Sequence, residues 1–289
     1  MREEYEHLMQ EAATSEQALA RLAEIISILR KQCPWDRAQT HETLKACMLE
    51  EAYESVEAID RRDAGNLAEE LGDVMLQVVF HSNLAQEEGL FDLKTVINRE
   101  CEKMIRRHPH IFLTETANNT IKSIDNVLEK WENIKERENA GKTRTDRLAG
   151  VPLALPALTR AAKVQKKAAE VGFDWTEVTP AVDKVREETE ELIAAYSAAE
   201  PDKERVAEEL GDLLFSVVNV ARFLKVDPEE ALRMTTNKFI RRFSHVEQQA
   251  LACGRSVEDM SLAEMDKLWD EAKELEKMID HQKTFKEEI

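Results

Sequence analysis

Two acidic quartets recur along this chain at matching spacing. In the second half, Glu187-Glu188-x-x-Glu191 is followed by Glu208-Glu209-x-x-Asp212; in the first half, Glu50-Glu51-x-x-Glu54 is followed by Glu69-Glu70-x-x-Asp73. Within each pair the spacing is i, i+3, so both side chains share one helix face. If the two helices of a quartet lie antiparallel, four carboxylates meet in one cleft. Left unneutralised they repel, and a dry cleft raises their pKa values. A divalent cation resolves the conflict, and all-oxygen donors suit Mg²⁺ or Mn²⁺ rather than zinc. For any one pair the plain alternative is a solvated acidic face, in a chain with 58 Asp and Glu residues. Two full copies, each running into an apolar stripe, argue for a site.

A second cluster is cationic. Lys238, Arg241 and Arg242 stand at i, i+3, i+4, a compact patch on a helix, and they recur as Lys103, Arg106 and Arg107. Such a patch holds phosphate oxygens, with the Arg forks supplying directional contacts; a solvated basic stripe is the alternative. Trp269 and Trp131 offer a stacking face for a base or ribose, although a Trp on an amphipathic helix also serves as core. There is no Walker phosphate loop.

These clusters line up because the chain contains a repeat. The offset is 137 residues at Glu51/Glu188 and 139 at Glu70/Glu209, and the order is kept through the cationic cluster, Trp131/Trp269 and, upstream, Trp35/Trp175. We read a duplicated domain: residues 1–137, a linker over 138–158 and residues 159–289. Leu153, Leu155 and Leu158 predict that the linker packs against something.

The elements that must position the acids are helices. The chain has 8 glycines and 7 prolines in 289 residues, well below the usual ~7% and ~5%, and is rich in Glu, Ala, Leu and Lys, which favour helix. The fold class expected is all-α, with tandem helical-bundle domains. In each repeat a loop, Asp63-Ala64-Gly65-Asn66 or Glu200-Pro201-Asp202, joins two helices into a hairpin. After it, Leu71, Val74, Met75, Val78 and Val79, and likewise Leu210, Leu213, Leu214, Val217 and Val218, follow a helical period. This stripe is predicted to face the core, with Glu70 and Asp73 opposite. Leu76, Phe80 and Phe215 also lie on the acid side, so a second helix layer is expected to cover it.

The formal net charge is −18, which opposes binding to nucleic acid or to an anionic membrane yet leaves room for a nucleotide bridged by metal. Cys33, Cys47, Cys101 and Cys253 form no CxxC pair, so neither a disulfide framework nor a zinc site is expected. The acidic start is unlike a signal peptide, and there is no 18-residue apolar run. A reducing cytoplasm is the expected location.

The paired acidic motifs, with Cys33-Pro34-Trp35-Asp36, Arg106-Arg107-His108-Pro109-His110 and Val171-Gly172-Phe173-Asp174-Trp175, resemble the MazG family of nucleoside triphosphate pyrophosphohydrolases, in its two-domain bacterial form, over nearly the whole chain. The resemblance implies an all-α pyrophosphatase fold, a homodimer and Mg²⁺-dependent hydrolysis of a nucleoside triphosphate to monophosphate and pyrophosphate. Residue by residue it puts the metal on Glu188, Glu191, Glu209 and Asp212, and on Glu51, Glu54, Glu70 and Asp73 in the other copy. It puts the nucleotide on Lys184, Glu187, Glu188, Arg205, Val206, Ala207, Glu208, Asp212, Lys238, Arg242 and Trp269, with Arg241 completing the cationic patch. Glu188 or Glu191 would orient the attacking water. The second half is the expected active copy. Two alternatives stand beside this: a specialised dUTP or phosphoribosyl-ATP pyrophosphohydrolase, and a non-enzymatic metal-binding interaction module.

Overall fold

The structure is a computed structural model and describes residues 3–112, 134, 141 and 143–287. Among them every regular element is a helix, and the chain divides into two compact units, Met1–Glu138 and Asn139–Ile289. The first unit opens with a 3₁₀ turn, Glu3–Met9. It continues with α1 (Ser15–Gln32), α2 (Pro34–Ala38), α3 (Lys45–Arg61), α4 (Ala64–Glu87), α5 (Leu93–Arg107) and α6 (Pro109–Phe112). The second contains α7 (Arg144–Ala149), α8 (Ala157–Ala169), α9 (Val178–Tyr196), α10 (Lys203–Phe223), α11 (Pro228–Ala252), a 3₁₀ turn at Val257–Asp259 and α12 (Leu262–Glu287).

The helices that carry the acids start on aspartate caps. The Asp63 carboxylate accepts from the Gly65 and Asn66 amides at 3.1 Å, and Asp202 accepts from the Glu204 amide at 3.0 Å. Each cap satisfies donors that the first helical turn leaves open. The first hairpin is tighter than its sequence suggests. Ala64, Gly65 and Asn66, read as breakers, form the first turn of α4, because Asp63 caps them. The turn itself is Arg62-Asp63, with Arg62 left-handed at φ 55° and its N–H returned to the Ala58 and Ile59 carbonyls. The second hairpin turns over residues 197–202, around Pro201 as expected.

Small residues bring the arms together. On α9, Ala181, Glu188 and Ala195 are buried every seventh residue, and on α3 Ser55 and Ala58 are buried. Residues seven apart fall on nearly the same line of a helix, so one charged side chain sits in a seam of alanines.

The expected core stripe is corrected. Of Leu71, Val74, Met75, Val78 and Val79, only Val79 is buried, while Leu71 and Met75 are 53% and 45% exposed. In the second unit Val218 is buried but Leu210, Leu214 and Val217 are exposed. The inward face of α4 runs through Gln77, Phe80 and Leu84, where Ile26 of α1 joins Phe80 and Leu84 in the core together with Leu44 and Val79. Gln77, Phe80 and Leu84 recur on the side of α4 that also carries Glu70 and Asp73, and both α3 and α1 pack on this helix, so hydropathy alone misidentifies the buried face.

The segment read as a linker is partly helical. Thr143 and Asp146 form a reciprocal capping box at the start of α7, with bonds of 3.1 and 2.9 Å. Leu158 lies within α8, and Leu153, Leu155 and Leu158 line an apolar groove with Leu214 and Val218, Leu153 at its open edge with 82% exposure.

The seam yields a stability prediction. Ala195→Leu forces extra volume between α9 and α10 and should lower stability by about 1–3 kcal/mol, measured by urea unfolding. Ala194→Leu, at a neighbouring exposed position, should stay within about 0.5 kcal/mol. Equal effects of the two would contradict the close approach in the seam.

Candidate active site

Each hairpin brings three of its four acids together. Glu188 of α9 meets Glu209 and Asp212 of α10, one carboxylate oxygen of each lying within 4.8 Å of the others; Glu51, Glu70 and Asp73 do the same in the first unit. Glu188 is buried, Glu209 half-buried and Asp212 exposed, whereas all three in the first unit are half-buried. The fourth acids, Glu191 and Glu54, stand outside these triads but interact with them. Lost hydration, then the charges of Glu188 and Glu209, push the Glu191 carboxyl above its ordinary value. Glu51 is raised by lost hydration and then by Asp73, Glu54 and Glu70. Glu70 is raised by lost hydration and then by Glu54 and Asp73. All-oxygen donors this close, with charge to spare, fit a hard divalent cation.

The surroundings of the triads differ. In the second unit Lys184 lies one helical turn before Glu188, with Nζ 2.6 Å from its carboxylate and 2.8 Å from that of Glu187. The two acids hold the Lys184 ammonium well above its ordinary pKa, through hydrogen bonds to Glu187 and then Glu188. Arg205 lies 3.6 Å from Glu209. The repeat offsets put Cys47 and Asn66 at these places in the first unit, and only Asn66 reaches an acid there, by a hydrogen bond to Glu70. This difference is legible in the repeat alignment once every residue of the arms is compared, not the acids alone.

A cavity of about 670 Å³ opens beside the second triad. Lys184, Glu188 and Asp212 form part of its wall, and Phe173, Trp175 and Phe215 give it aromatic surface. Further along α10 it meets Ser216 and Asn219. Their counterparts in the first unit are Gln77 and Phe80, both buried, Phe80 within the core cluster. The matching position in the first unit is therefore filled.

The remaining sequence candidates divide. Glu187 is exposed and paired with Lys184; Val206 is half-buried, and Ala207 and Glu208 are exposed on α10. The cationic patch lies on α11. Its Arg242 pairs with Glu276 of α12 at 2.7 Å and lies 5.7 Å from the Trp269 ring, and Arg241 reaches Glu276 at 3.7 Å. Trp269 packs on Phe239, ring centres 4.9 Å apart. None of Lys238, Arg241, Arg242 and Trp269 is among the residues lining the cavity. Lys103 pairs with Glu100, and Trp131 lies outside the described residues. Sequence reasoning missed Asn219 and Arg222; Phe173 and Trp175 entered only within the motif over residues 171–175, with Trp175 also the repeat partner of Trp35, and neither was given a place in a site.

The raised carboxyls predict a pH response. Their folded pKa lies above the unfolded value of 4.5, so their charge destabilises the fold at neutral pH. This cost is relieved as pH falls through the raised values, and these groups add nothing further below 4.5, where the unfolded chain protonates too. With EDTA present, the melting temperature should rise as pH falls from about 7 toward 5, and Glu51→Gln and Glu191→Gln should flatten the rise. Millimolar Mg²⁺ should raise it most at neutral pH. A melting temperature independent of pH in all variants would contradict the coupling.

Residues 39–112 and 177–247 match the family described as the MazG nucleotide pyrophosphohydrolase domain. The chain is 42% identical over 255 residues to the nucleoside triphosphate pyrophosphohydrolase/pyrophosphatase MazG of Thermotoga maritima, covering 86% of this chain and 94% of that protein. It is 44% identical over 244 residues to the nucleoside triphosphate pyrophosphohydrolase of Escherichia coli K12, covering 84% and 91%. It is 49% identical over 245 residues to the uncharacterized protein YabN of Bacillus subtilis, of which it spans 49%. With two matched segments, one over each acidic hairpin, the chain belongs to the MazG nucleotide pyrophosphohydrolase domain family.

Proposed function

We propose that the second unit hydrolyses nucleoside triphosphates to the monophosphate and pyrophosphate with Mg²⁺, or Mn²⁺ in its place. The observation that carries this is the Glu188–Glu209–Asp212 triad, within 4.8 Å, with Glu188 and Asp212 on the wall of a cavity large enough for a nucleoside. The names of the Thermotoga and Escherichia relatives support the same activity.

Glu188, Glu209 and Asp212, with Glu191 beside them, would hold the cation, which when bound offsets triphosphate charge and lowers the pKa of a water. Glu188 and Glu191 orient that water toward the α-phosphorus. Glu191, next to the triad and outside it, would accept the proton. The new bond joins the water oxygen to the α-phosphorus, and the bond to the α–β bridging oxygen breaks, releasing pyrophosphate. Lys184, charged throughout the neutral range, lies close enough to Glu188 to balance negative charge that builds on the phosphates. There is no need for a protein nucleophile.

The first unit keeps its acids but lacks the counterparts of Lys184 and Arg205, and Phe80 fills the place of Asn219. We assign turnover to the second unit for this reason. Lys238, Arg241, Arg242 and Trp269 remain proposed nucleotide contacts, and a homodimer gives them a route to a site: from a second copy. The exposed Leu210, Leu214 and Val217, next to the apolar groove, suit such a contact. Free cysteines fit a reducing cytoplasm, and no described helix is long and apolar enough to cross a membrane.

The test is turnover in ¹⁸O-labelled water with each triphosphate. Pyrophosphate should form, with the label in the monophosphate; orthophosphate as the sole product would sink the α-phosphorus mechanism. Glu209→Ala should cut kcat/KM by at least ~100-fold, the scale of losing a charge-stabilising group, while Glu70→Ala should stay within a few-fold. The reverse pattern would move turnover to the first unit. Leu214→Glu should halve the mass seen by light scattering if this stripe joins two copies.

A further inference from the structure

Asn219 is held in one orientation. The Arg222 guanidinium donates to its Oδ1 from Nε at 3.0 Å and from a terminal nitrogen at 2.8 Å. A guanidinium has donors only, so the atom facing it must be the amide oxygen. Arg222 is fixed in turn by Asp174, whose two carboxylate oxygens accept at 2.9 and 2.5 Å, a bidentate pair. With Oδ1 committed, the Nδ2 amino group is what Asn219 has left to offer in the cavity it lines. Asp174 also ties down the loop that carries Phe173 and Trp175, both in the cavity wall.

The position fits a base. Asn219 lies seven residues beyond Asp212 on α10, about 10 Å along the helix at 1.5 Å per residue. A ribose spans that order of distance between the α-phosphorus and the far edge of the base, and Ser216, one turn nearer the acids, falls level with the sugar. Gln165, 93% buried, also lines the cavity. Its Nε2 donates to the Phe215 carbonyl at 2.8 Å, and its Oε1 is buried without a partner. An unmatched buried acceptor calls for a donor.

We infer that Asn219, oriented by Arg222 and Asp174, reads the base of the substrate and favours an oxo group over an amino group at that edge. This rests on the triphosphate reading above and adds its base class. An oxo oxygen accepts from Nδ2–H, and the ring N–H beside it supplies the kind of donor that the Gln165 Oε1 lacks. An exocyclic amine at that edge would face another donor in Nδ2–H, and Asn219 has no acceptor to turn toward it, since Oδ1 belongs to Arg222. Trp175 and Phe173 supply a stacking face without regard to base.

UTP and CTP isolate the point, because they share sugar and phosphates and differ only at the oxo/imide edge. Wild type should favour UTP over CTP by at least ~10-fold in kcat/KM, within the range that a well-placed hydrogen-bond reader discriminates. Asn219→Asp, which exchanges the donor for an acceptor, should lower that ratio by ~10-fold or more. Arg222→Lys, which frees the amide to turn, should bring the ratio toward one; it carries the test if the aspartate variant does not fold. An unchanged ratio in folded variants, or a wild-type preference for CTP, overturns the inference. Calorimetric binding of the α,β-methylene analogues of UTP and CTP separates the two readings. If no pyrophosphate forms yet the UTP analogue binds tighter and Asn219→Asp abolishes the difference, the base reading stands and the hydrolytic one falls. Equal binding of the two analogues to wild type overturns the base reading.

Discussion

The structure turns on one unfavourable interaction, the repulsion among carboxylates held across a helical hairpin. Ala181 and Ala195 bring α9 close to α10, and Glu188 is buried between them. Lost hydration and then the like charge of neighbouring acids disfavour ionisation of Glu191 beside it, and of Glu51 and Glu70 in the first unit. A fold that keeps such a cluster spends stability on it, which proteins do at functional sites. Lys184 offsets part of the cost in the second unit, at a position where the first unit has Cys47.

The two units show how one hairpin can be put to different ends. Their acids are the same, and in both the triad's carboxylate oxygens lie within 4.8 Å of one another. What separates them lies one to two turns further along α4 and α10. Gln77 and Phe80 close the core in one; Ser216 and Asn219 face a cavity in the other. A change from Asn to Phe at one helical position exchanges a polar contact for roughly 2–3 kcal/mol of apolar burial. The same helix face then serves packing or recognition, not both.

Much of this was legible in the residues. Low glycine and proline, the repeat and the i, i+3 acids led to paired all-helical units and to clusters of four acids, of which each hairpin gathers three. The aliphatic stripe misled, because the 3.6-residue period of Leu71, Met75 and Val78 shows that one face is apolar and not which neighbour covers it. Both α3 and α1 pack on α4, and the residues it buries include Gln77, Phe80 and Leu84. Gly65 and Asn66 misled in the same local way, since a breaker next to a capping aspartate can begin a helix. The cavity was invisible for a different reason: its wall joins α10, where Asn219 and Arg222 stand i, i+3, to the loop that carries Phe173 and Trp175, and no spacing links the two. Only the fold brings Asp174 to Arg222, 48 residues apart.

The hairpin turns have a consequence for how such sites diverge. Arg62-Asp63 is about as short as an antiparallel helical connection becomes, and its left-handed residue leaves no slack for added or lost residues. The turn over residues 197–202 has slack, and closing a somewhat longer loop costs only tenths of a kcal/mol. Length variation can accumulate at that turn without shifting the register of the acids. One hairpin is thus locked against insertion, while the other can remodel the rim of its cleft and leave its chemistry in place.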